Sequence, residues 1–165
     1  MKTEIVILTG PVHSGKSTTL YEWFVFQKLG NKVIRGIVNP ELNGRKRFIN
    51  AFTKEQFEML ADENEADVIE IGKFTFSAKS FEKARETLFQ QSALASDYFI
   101  VDEIGKLELL GGGLEPEVSR LLSRIDDLNI GTVILVVRDF LVDEVIAYFN
   151  LRSPKIVTQF QLNEI

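Results

Sequence analysis

Three runs of consecutive hydrophobic residues dominate the pattern along the chain. They lie at Ile5–Leu8, Tyr98–Val101 and Val133–Val137. Strands of a parallel sheet that helices cover on both faces have this pattern, because both sides of each strand are buried. We therefore predict three central strands at these positions.

Segments with helical spacing of apolar residues lie between these runs. The first contains Leu20, Trp23, Phe24 and Gln27, with Gly30 as its end. The second contains Phe81, Ala84, Leu88 and Ala95. The third begins with Pro116 at its first position and continues with Val118, Leu121, Leu122, Ile125 and Leu128. Apolar residues three and four positions apart form the buried stripe of a helix.

A short helix over 142–149 and a strand over 155–157 complete the predicted elements. Strands that alternate with helices favour an α/β sandwich with right-handed crossovers. The stretch from Val33 to Phe76 breaks this alternation. It contains the turn signal Asn43-Gly44 and two short alternating segments, 47–52 and 69–76. We predict one domain over 1–165 with a small β-hairpin insertion at about 36–76.

Composition limits the classes of protein to which this chain can belong. The 165 residues are 45% hydrophobic and 26% charged, which is ordinary for a soluble domain. A net charge of −5 argues against nucleic acid as a partner, and the lack of cysteine excludes disulfides and thiolate metal sites. No apolar run approaches the roughly 20 residues of a membrane helix. The start of the chain is too short and too acidic for a signal peptide. We therefore expect a cytoplasmic protein without membrane association.

The stretch GPVHSGKST follows the first predicted strand. Gly10, Gly15, Lys16 and Ser17 fit the phosphate-loop pattern G-x-x-x-x-G-K-[ST]. Backbone N–H groups of such a loop surround a phosphate, and the helix that follows adds its positive end. Lys16 would contact the β- and γ-phosphates, and the Ser17 hydroxyl would bind Mg²⁺. The predicted nucleotide-binding residues are Gly10, Pro11, Val12, His13, Ser14, Gly15, Lys16, Ser17 and Thr18.

A second candidate group lies in YFIVDEIGKLEL, where Asp102 and Glu103 follow the second hydrophobic run. Ligands of open α/β sheets bind at the carboxyl ends of the strands, so Asp102 is placed to orient Mg²⁺. Glu103 next to it would accept a proton from an attacking water. The alternative is that both residues only end a strand in solvent. Together with the phosphate loop, the pair favours hydrolysis of a nucleoside triphosphate.

The phosphate loop, the string DEIGKLEL and the string VVRD at 136–139 together resemble a family of small P-loop nucleoside triphosphatases, which includes the cancer-related nucleoside triphosphatase. The resemblance covers about residues 4–150. It implies a three-layer P-loop NTPase sandwich with a RecA-like, mostly parallel sheet, an extra strand and a catalytic glutamate. It also implies slow, Mg²⁺-dependent hydrolysis of ATP, GTP and other nucleoside triphosphates, with loose base selectivity.

Residue by residue, the resemblance implies catalytic roles for Lys16, Glu103 and Arg138, and metal binding by Ser17 and Asp102. Arg138 would stabilise charge on the transferred phosphoryl group. The alternative is a surface arginine beside Asp139.

The loop itself departs from the family pattern G-x-P-G-x-G-K-[TS]. Pro11 lies one position early, and His13 replaces a glycine. A side chain at position 13 is expected to narrow the approach to the γ-phosphate, although we favour an orientation of its ring toward solvent.

Two other functions stay open at this stage. A P-loop kinase of small molecules or nucleotides would use the same loop, but its arginine-rich lid has no counterpart in 105–115, which contains no arginine. A nucleotide-gated binding module with little hydrolysis would signal through the segment 105–113.

Two segments near these motifs are predicted to have minor roles. The basic stretch GRKR at 44–47 favours a solvated hairpin tip, with nucleic-acid contact or lining of the base or substrate pocket as the alternatives. The stretch LLGGG at 109–113 favours a flexible loop, either a lid or a plain connector.

Overall fold

The computed structural model describes residues 2–165, which form ten strands and five α-helices. In chain order they are β1 (Glu4–Gly10), α1 (Lys16–Leu29), β2 (Ile34–Val38), β3 (Glu41–Leu42), β4 (Arg45–Asn50), β5 (Gln56–Glu58), β6 (Val68–Ile71), β7 (Phe74–Ser77), α2 (Ala78–Ser92), β8 (Ser96–Ile104), α3 (Lys106–Leu109), α4 (Glu117–Ser123), β9 (Ile130–Arg138), α5 (Val142–Tyr148) and β10 (Lys155–Thr158). Short 3₁₀ turns lie at Ile125–Asp127, Asp139–Leu141 and Gln159–Glu164.

The main sheet has the strand order β10–β1–β9–β8–β2–β4–β3, and β5 pairs with β4. The five strands from β10 to β2 are parallel. The three predicted hydrophobic runs form β1, β9 and β8 at the centre of this sheet, where both faces are buried. Strand β9 lies between β1 and β8, which is the extra strand that the resemblance implied.

Helices cover both faces of the sheet and enclose two hydrophobic cores. On one face, Leu20, Trp23 and Phe24 of α1 pack with buried residues of β1, β8 and β9. On the other face, α2, α4 and α5 pack against the same strands. This arrangement confirms the predicted three-layer α/β fold. Among residues 2–165, no helix is both long and apolar enough to cross a membrane.

Helix ends differ from the prediction at two places. Helix α2 ends at Ser92, so Ala95 lies in the exposed connection to β8 rather than on the helix. Pro116 immediately precedes α4, and Ile125 and Leu128 lie beyond the end of this helix. A 3₁₀ turn follows α4 and keeps Ile125 and Leu128 packed against the core, which explains why the apolar spacing continues past the helix.

The structure gives the insertion predicted at about 36–76 a slightly later start and more strands. Strand β2 pairs in parallel with β8, with Gly36 opposite Ile100, so the insertion begins after Val38. It contains more than one hairpin: β3, β4 and β5 pair as consecutive antiparallel strands, with the turn Asn43-Gly44 between β3 and β4, and β6–β7 form a separate two-stranded sheet.

Strands β2 and β3 pair with β4 in one continuous register, with Val38 opposite Ile49 and Glu41 opposite Lys46. The β3–β4 hairpin therefore extends the sheet beyond the carboxyl end of β2.

Candidate functional site

The predicted site residues meet at the carboxyl edge of the three central strands. Gly10 at the end of β1 pairs with Arg138 at the end of β9, and Val137 pairs with Ile104 at the end of β8. The loop after β1, the Asp102–Glu103 pair and Arg138 are thereby placed at one edge. The extra strand β9 puts Arg138 between the other two groups.

The loop over residues 10–18 leaves several backbone N–H groups available. Gly15 has φ +83°, a left-handed conformation that glycine adopts without steric cost. Ser14 donates its N–H to the Pro11 carbonyl at 3.2 Å, whereas the N–H groups of His13 and Lys16 have no acceptor within residues 2–165. The first turn of α1 contains no acidic residue. Free amides and an uncompensated helix N-terminus suit an anion.

His13 occupies a glycine position of the family pattern and keeps the backbone conformation that glycine favours. Its φ is +58°, and its side chain is exposed. A left-handed conformation costs a non-glycine residue about 1–2 kcal/mol, so the histidine is accommodated at a modest cost in strain. The exposure of the residue agrees with the predicted orientation toward solvent.

The Lys16 side chain lies inside the loop. The residue is only 6% exposed, and its Nζ donates to the Pro11 carbonyl at 3.1 Å. Burial lowers the pKa of Lys16, and the nearby charges of Glu103 and Asp102 act in the opposite direction. A desolvated ammonium with one carbonyl partner is a favourable contact for a polyanion.

Asp102 is fully buried, and both of its carboxylate oxygens are held. Ser17 donates its hydroxyl to Oδ1 at 3.0 Å, and the backbone N–H of Asn39 donates to Oδ2 at 2.9 Å. Burial and the charge of Glu103 together raise the pKa of Asp102 to about 6, while the hydrogen bonds from Asn39 and Ser17 oppose the shift. Sequence reasoning missed Asn39, because a backbone donor leaves no signal in residue type.

The Ser17–Asp102 pair fits Mg²⁺. Both groups offer oxygen, the ligand that Mg²⁺ prefers, and their oxygens are already 3.0 Å apart. Among residues 2–165, no cluster of three or more histidine, cysteine, aspartate or glutamate side chains could hold a metal ion. A site with few protein ligands suits Mg²⁺ bound with a nucleotide, because phosphate oxygens and water complete its coordination.

Two cationic side chains lie next to the carboxylate of Glu103. Its Oε1 lies 3.4 Å from Nη2 of Arg138 and 3.6 Å from Nζ of Lys46, and its side chain is 17% exposed. Arg138 therefore pairs with Glu103 rather than with the neighbouring Asp139. Asp139 instead accepts the N–H of Phe140.

The prediction of a solvated tip for GRKR is wrong for Lys46. Arg45 at the same tip is 66% exposed, but the side chain of Lys46 reaches Glu103. Both Arg45 and Arg47 lie within 4 Å of Glu58 on β5. Alternate residues of a strand point to opposite faces. The alternation along β4 could therefore have indicated that Lys46 faces away from Arg45 and Arg47.

The segment 105–113 is anchored, whereas the stretch 109–113 within it was predicted to be a flexible loop. Residues Lys106–Leu109 form α3, and the buried Glu108 accepts the N–H groups of Gly105 at 2.8 Å and Leu114 at 3.1 Å. Arg85 of α2 donates to the Gly113 carbonyl at 2.7 Å. These bonds fix both ends of the segment beside Glu103.

Glu108 is expected to make the stability of the protein depend on pH. Burial raises its pKa from 4.5 to about 7. Between these values the folded protein keeps a proton that the unfolded chain loses, so the free energy of unfolding should fall as pH rises. Urea unfolding of the parent and of Glu108→Gln at pH 5 and pH 7.5 should show a contribution on the order of 3 kcal/mol that the variant lacks. Parallel pH dependence in both proteins would contradict this assignment, and Glu70→Gln on the exposed face of β6 serves as the control.

Comparison with known proteins agrees with this geometry. A family described as NTPase matches residues 5–159 of the sequence. The chain belongs to this NTPase family. Membership agrees with the resemblance that the phosphate loop and the DEIGKLEL string indicated. A search of curated proteins finds no match.

Two solved structures share the NTPase fold. The solution structure of a human cancer-related nucleoside triphosphatase has a TM-score of 0.65 at 16% sequence identity, over 99% of this chain and 95% of that protein. The crystal structure of THEP1 from the hyperthermophile Aquifex aeolicus has a TM-score of 0.64 at 20% identity, over 96% and 92% of the two chains. At these identities the likeness establishes the fold.

Proposed function

We propose that this NTPase-family protein hydrolyses nucleoside triphosphates such as ATP and GTP, slowly and with Mg²⁺, to a diphosphate and phosphate. One observation carries the proposal. The Ser17–Asp102 pair, the buried Lys16 and the partly exposed Glu103 lie together at the edge where the loop amides are free. This arrangement supports the proposal that phosphate binding, metal binding and proton acceptance occur in one place.

In the proposed reaction, the loop amides and Lys16 bind the phosphates, and Ser17 and Asp102 hold the metal. When bound, Mg²⁺ neutralises charge on the phosphate oxygens. Glu103 accepts a proton from water while the water oxygen bonds to the γ-phosphorus. The bond from the γ-phosphorus to the bridging oxygen breaks, and the diphosphate leaves with that electron pair.

Arg138 has a proposed role at the γ-phosphate. Its side chain is 36% exposed and lies 3.4 Å from Glu103, at the end of the strand that separates β1 from β8. A guanidinium there stabilises negative charge on the transferred phosphoryl group.

A nucleotide-gated binding module with little hydrolysis is the second candidate. Leu110 and Phe140 are exposed apolar residues that follow α3 and β9, close in sequence to Glu103 and Arg138. Such residues suit contact with a partner protein. Tight binding of Mg·ATP without phosphate release would favour this candidate.

Lys16→Ala tests the phosphate-binding part of the proposal. Loss of the ammonium is expected to weaken Mg·ATP binding by about 10- to 100-fold, because charge-assisted hydrogen bonds contribute about 1.5–3 kcal/mol each. Titration calorimetry measures the affinity, and phosphate release should fall in parallel. Lys79→Ala, at an exposed position of α2, serves as the control. If Lys16→Ala binds Mg·ATP as tightly as the parent, the loop does not bind phosphate in the proposed way.

A further inference from the structure

The β3–β4 hairpin brings one cation to the candidate site. Strand alternation directs Arg45 and Arg47 toward Glu58, whereas Lys46 between them lies 3.6 Å from Oε1 of Glu103. The register of β4 with β2 and β3 fixes this direction, because a shift by one residue would exchange the two faces.

The side-chain charges at the site do not balance one another. Lys46, Arg138, Asp102 and Glu103 all act on the charge of Lys16, and Lys46 and Arg138 each lie within 4 Å of Glu103. Three cations against two carboxylates leave one net positive charge. A magnesium-bound triphosphate carries net negative charge, and its terminal phosphate is the end that would lie nearest to Glu103 in the proposed reaction.

We propose that Lys46 is a γ-phosphate contact, which pairs with Glu103 in the nucleotide-free protein and binds the terminal phosphate when a triphosphate is present. This inference rests on the proposed function of the site. The ammonium of lysine is a compact charge on a flexible stem with three donors. The Lys46 side chain is 37% exposed, so an incoming phosphate reaches it from solvent.

A purely structural role does not account for Lys46. Partly exposed ion pairs contribute little to stability. The hairpin is held instead by the Asn43-Gly44 turn and by the pairing of β4 with β2 and β5. The ion pair with Glu103 would therefore be expendable for folding, and its two charges are available to the reaction.

The test compares the affinities for two nucleotides by titration calorimetry with Mg²⁺. The probes are ADP and a non-hydrolysable ATP analogue with nitrogen between the β- and γ-phosphorus atoms. Lys46→Met is expected to weaken the binding of the ATP analogue by about 10- to 100-fold and to change the affinity for ADP by less than about threefold. The reason is that only the analogue has a γ-phosphate. Lys46→Arg should restore the preference for the analogue. Arg45→Met, which removes a charge from the same tip, should bind both nucleotides with the affinities of the parent.

The outcomes separate this inference from the proposed hydrolysis. Equal weakening of both nucleotides in Lys46→Met, or an equal loss of analogue binding in Arg45→Met, overturns the role of Lys46 while phosphate release by the parent stands. A Lys46-dependent preference for the analogue in a protein that releases no phosphate supports the contact and overturns hydrolysis. Failure of the parent to bind the analogue overturns both.

Discussion

Replacing Glu103 with glutamine is expected to lower Mg²⁺-dependent phosphate release by about 100- to 10,000-fold, the usual contribution of a general base. Glutamine has nearly the same shape but does not accept the proton of the attacking water. The substitution also removes a negative charge beside the bound polyanion and frees Arg138 and Lys46. Mg·ATP should therefore bind at least as tightly as it binds to the parent. Steady-state phosphate release and titration calorimetry measure the two effects separately.

Glu70→Gln provides the matched control for this substitution. Glu70 is exposed on β6, in the separate two-stranded sheet, so its loss should change neither rate nor affinity. If Glu103→Gln releases phosphate as fast as the parent, the proton acceptor is another group. If Glu103→Gln loses nucleotide binding, Glu103 has a role in the structure of the site.

Replacing Gly36 with alanine is expected to destabilise the protein by about 2–5 kcal/mol, from backbone strain and overpacking together. Gly36 has φ +96°, and an added Cβ would lie 2.0 Å from the carbonyl oxygen of Ile100. That oxygen belongs to β8, two residues before Asp102, so the strand would have to move away from β2. Urea unfolding measures the loss, and Asp102 would lose its fixed position next to Asn39 in the same variant.

Gly44→Ala separates the effect of backbone strain from the effect of a steric clash such as that with Ile100. Gly44 also has a positive φ, of +75°, but an added Cβ would have no heavy atom within 4 Å. The expected loss is about 1–2 kcal/mol, from strain alone. Equal losses in Gly36→Ala and Gly44→Ala would show that close packing of β2 on β8 is not what requires glycine at position 36.

The centre of the fold was predictable because its signal is local. Strands β1, β8 and β9 are buried on both faces, so continuous hydrophobic runs mark them in the sequence. Strand β2 is equally central but has only five residues and includes Arg35 and Gly36. Its assignment to the sheet depends on pairing with β8, which a local pattern does not contain.

The candidate site was likewise predictable only in part. Lys16, Ser17, Asp102 and Glu103 were found because phosphate and metal binding require those residue types at those spacings. Lys46 was assigned to solvent, since its contact with Glu103 spans 57 positions and depends on the register of the insertion. The anchoring role of Glu108 was also missed, because the residue type alone predicts an exposed side chain, whereas the folded chain buries it.

The most direct measurement is the fate of the oxygen in the attacking water. Hydrolysis of Mg·ATP in water enriched in ¹⁸O, followed by mass spectrometry of the products, identifies the acceptor of the phosphoryl group. Attack of water on the γ-phosphorus predicts one ¹⁸O atom in each released phosphate and none in ADP. Formation of ADP without labelled phosphate, or ¹⁸O in the diphosphate, would contradict the proposed triphosphatase.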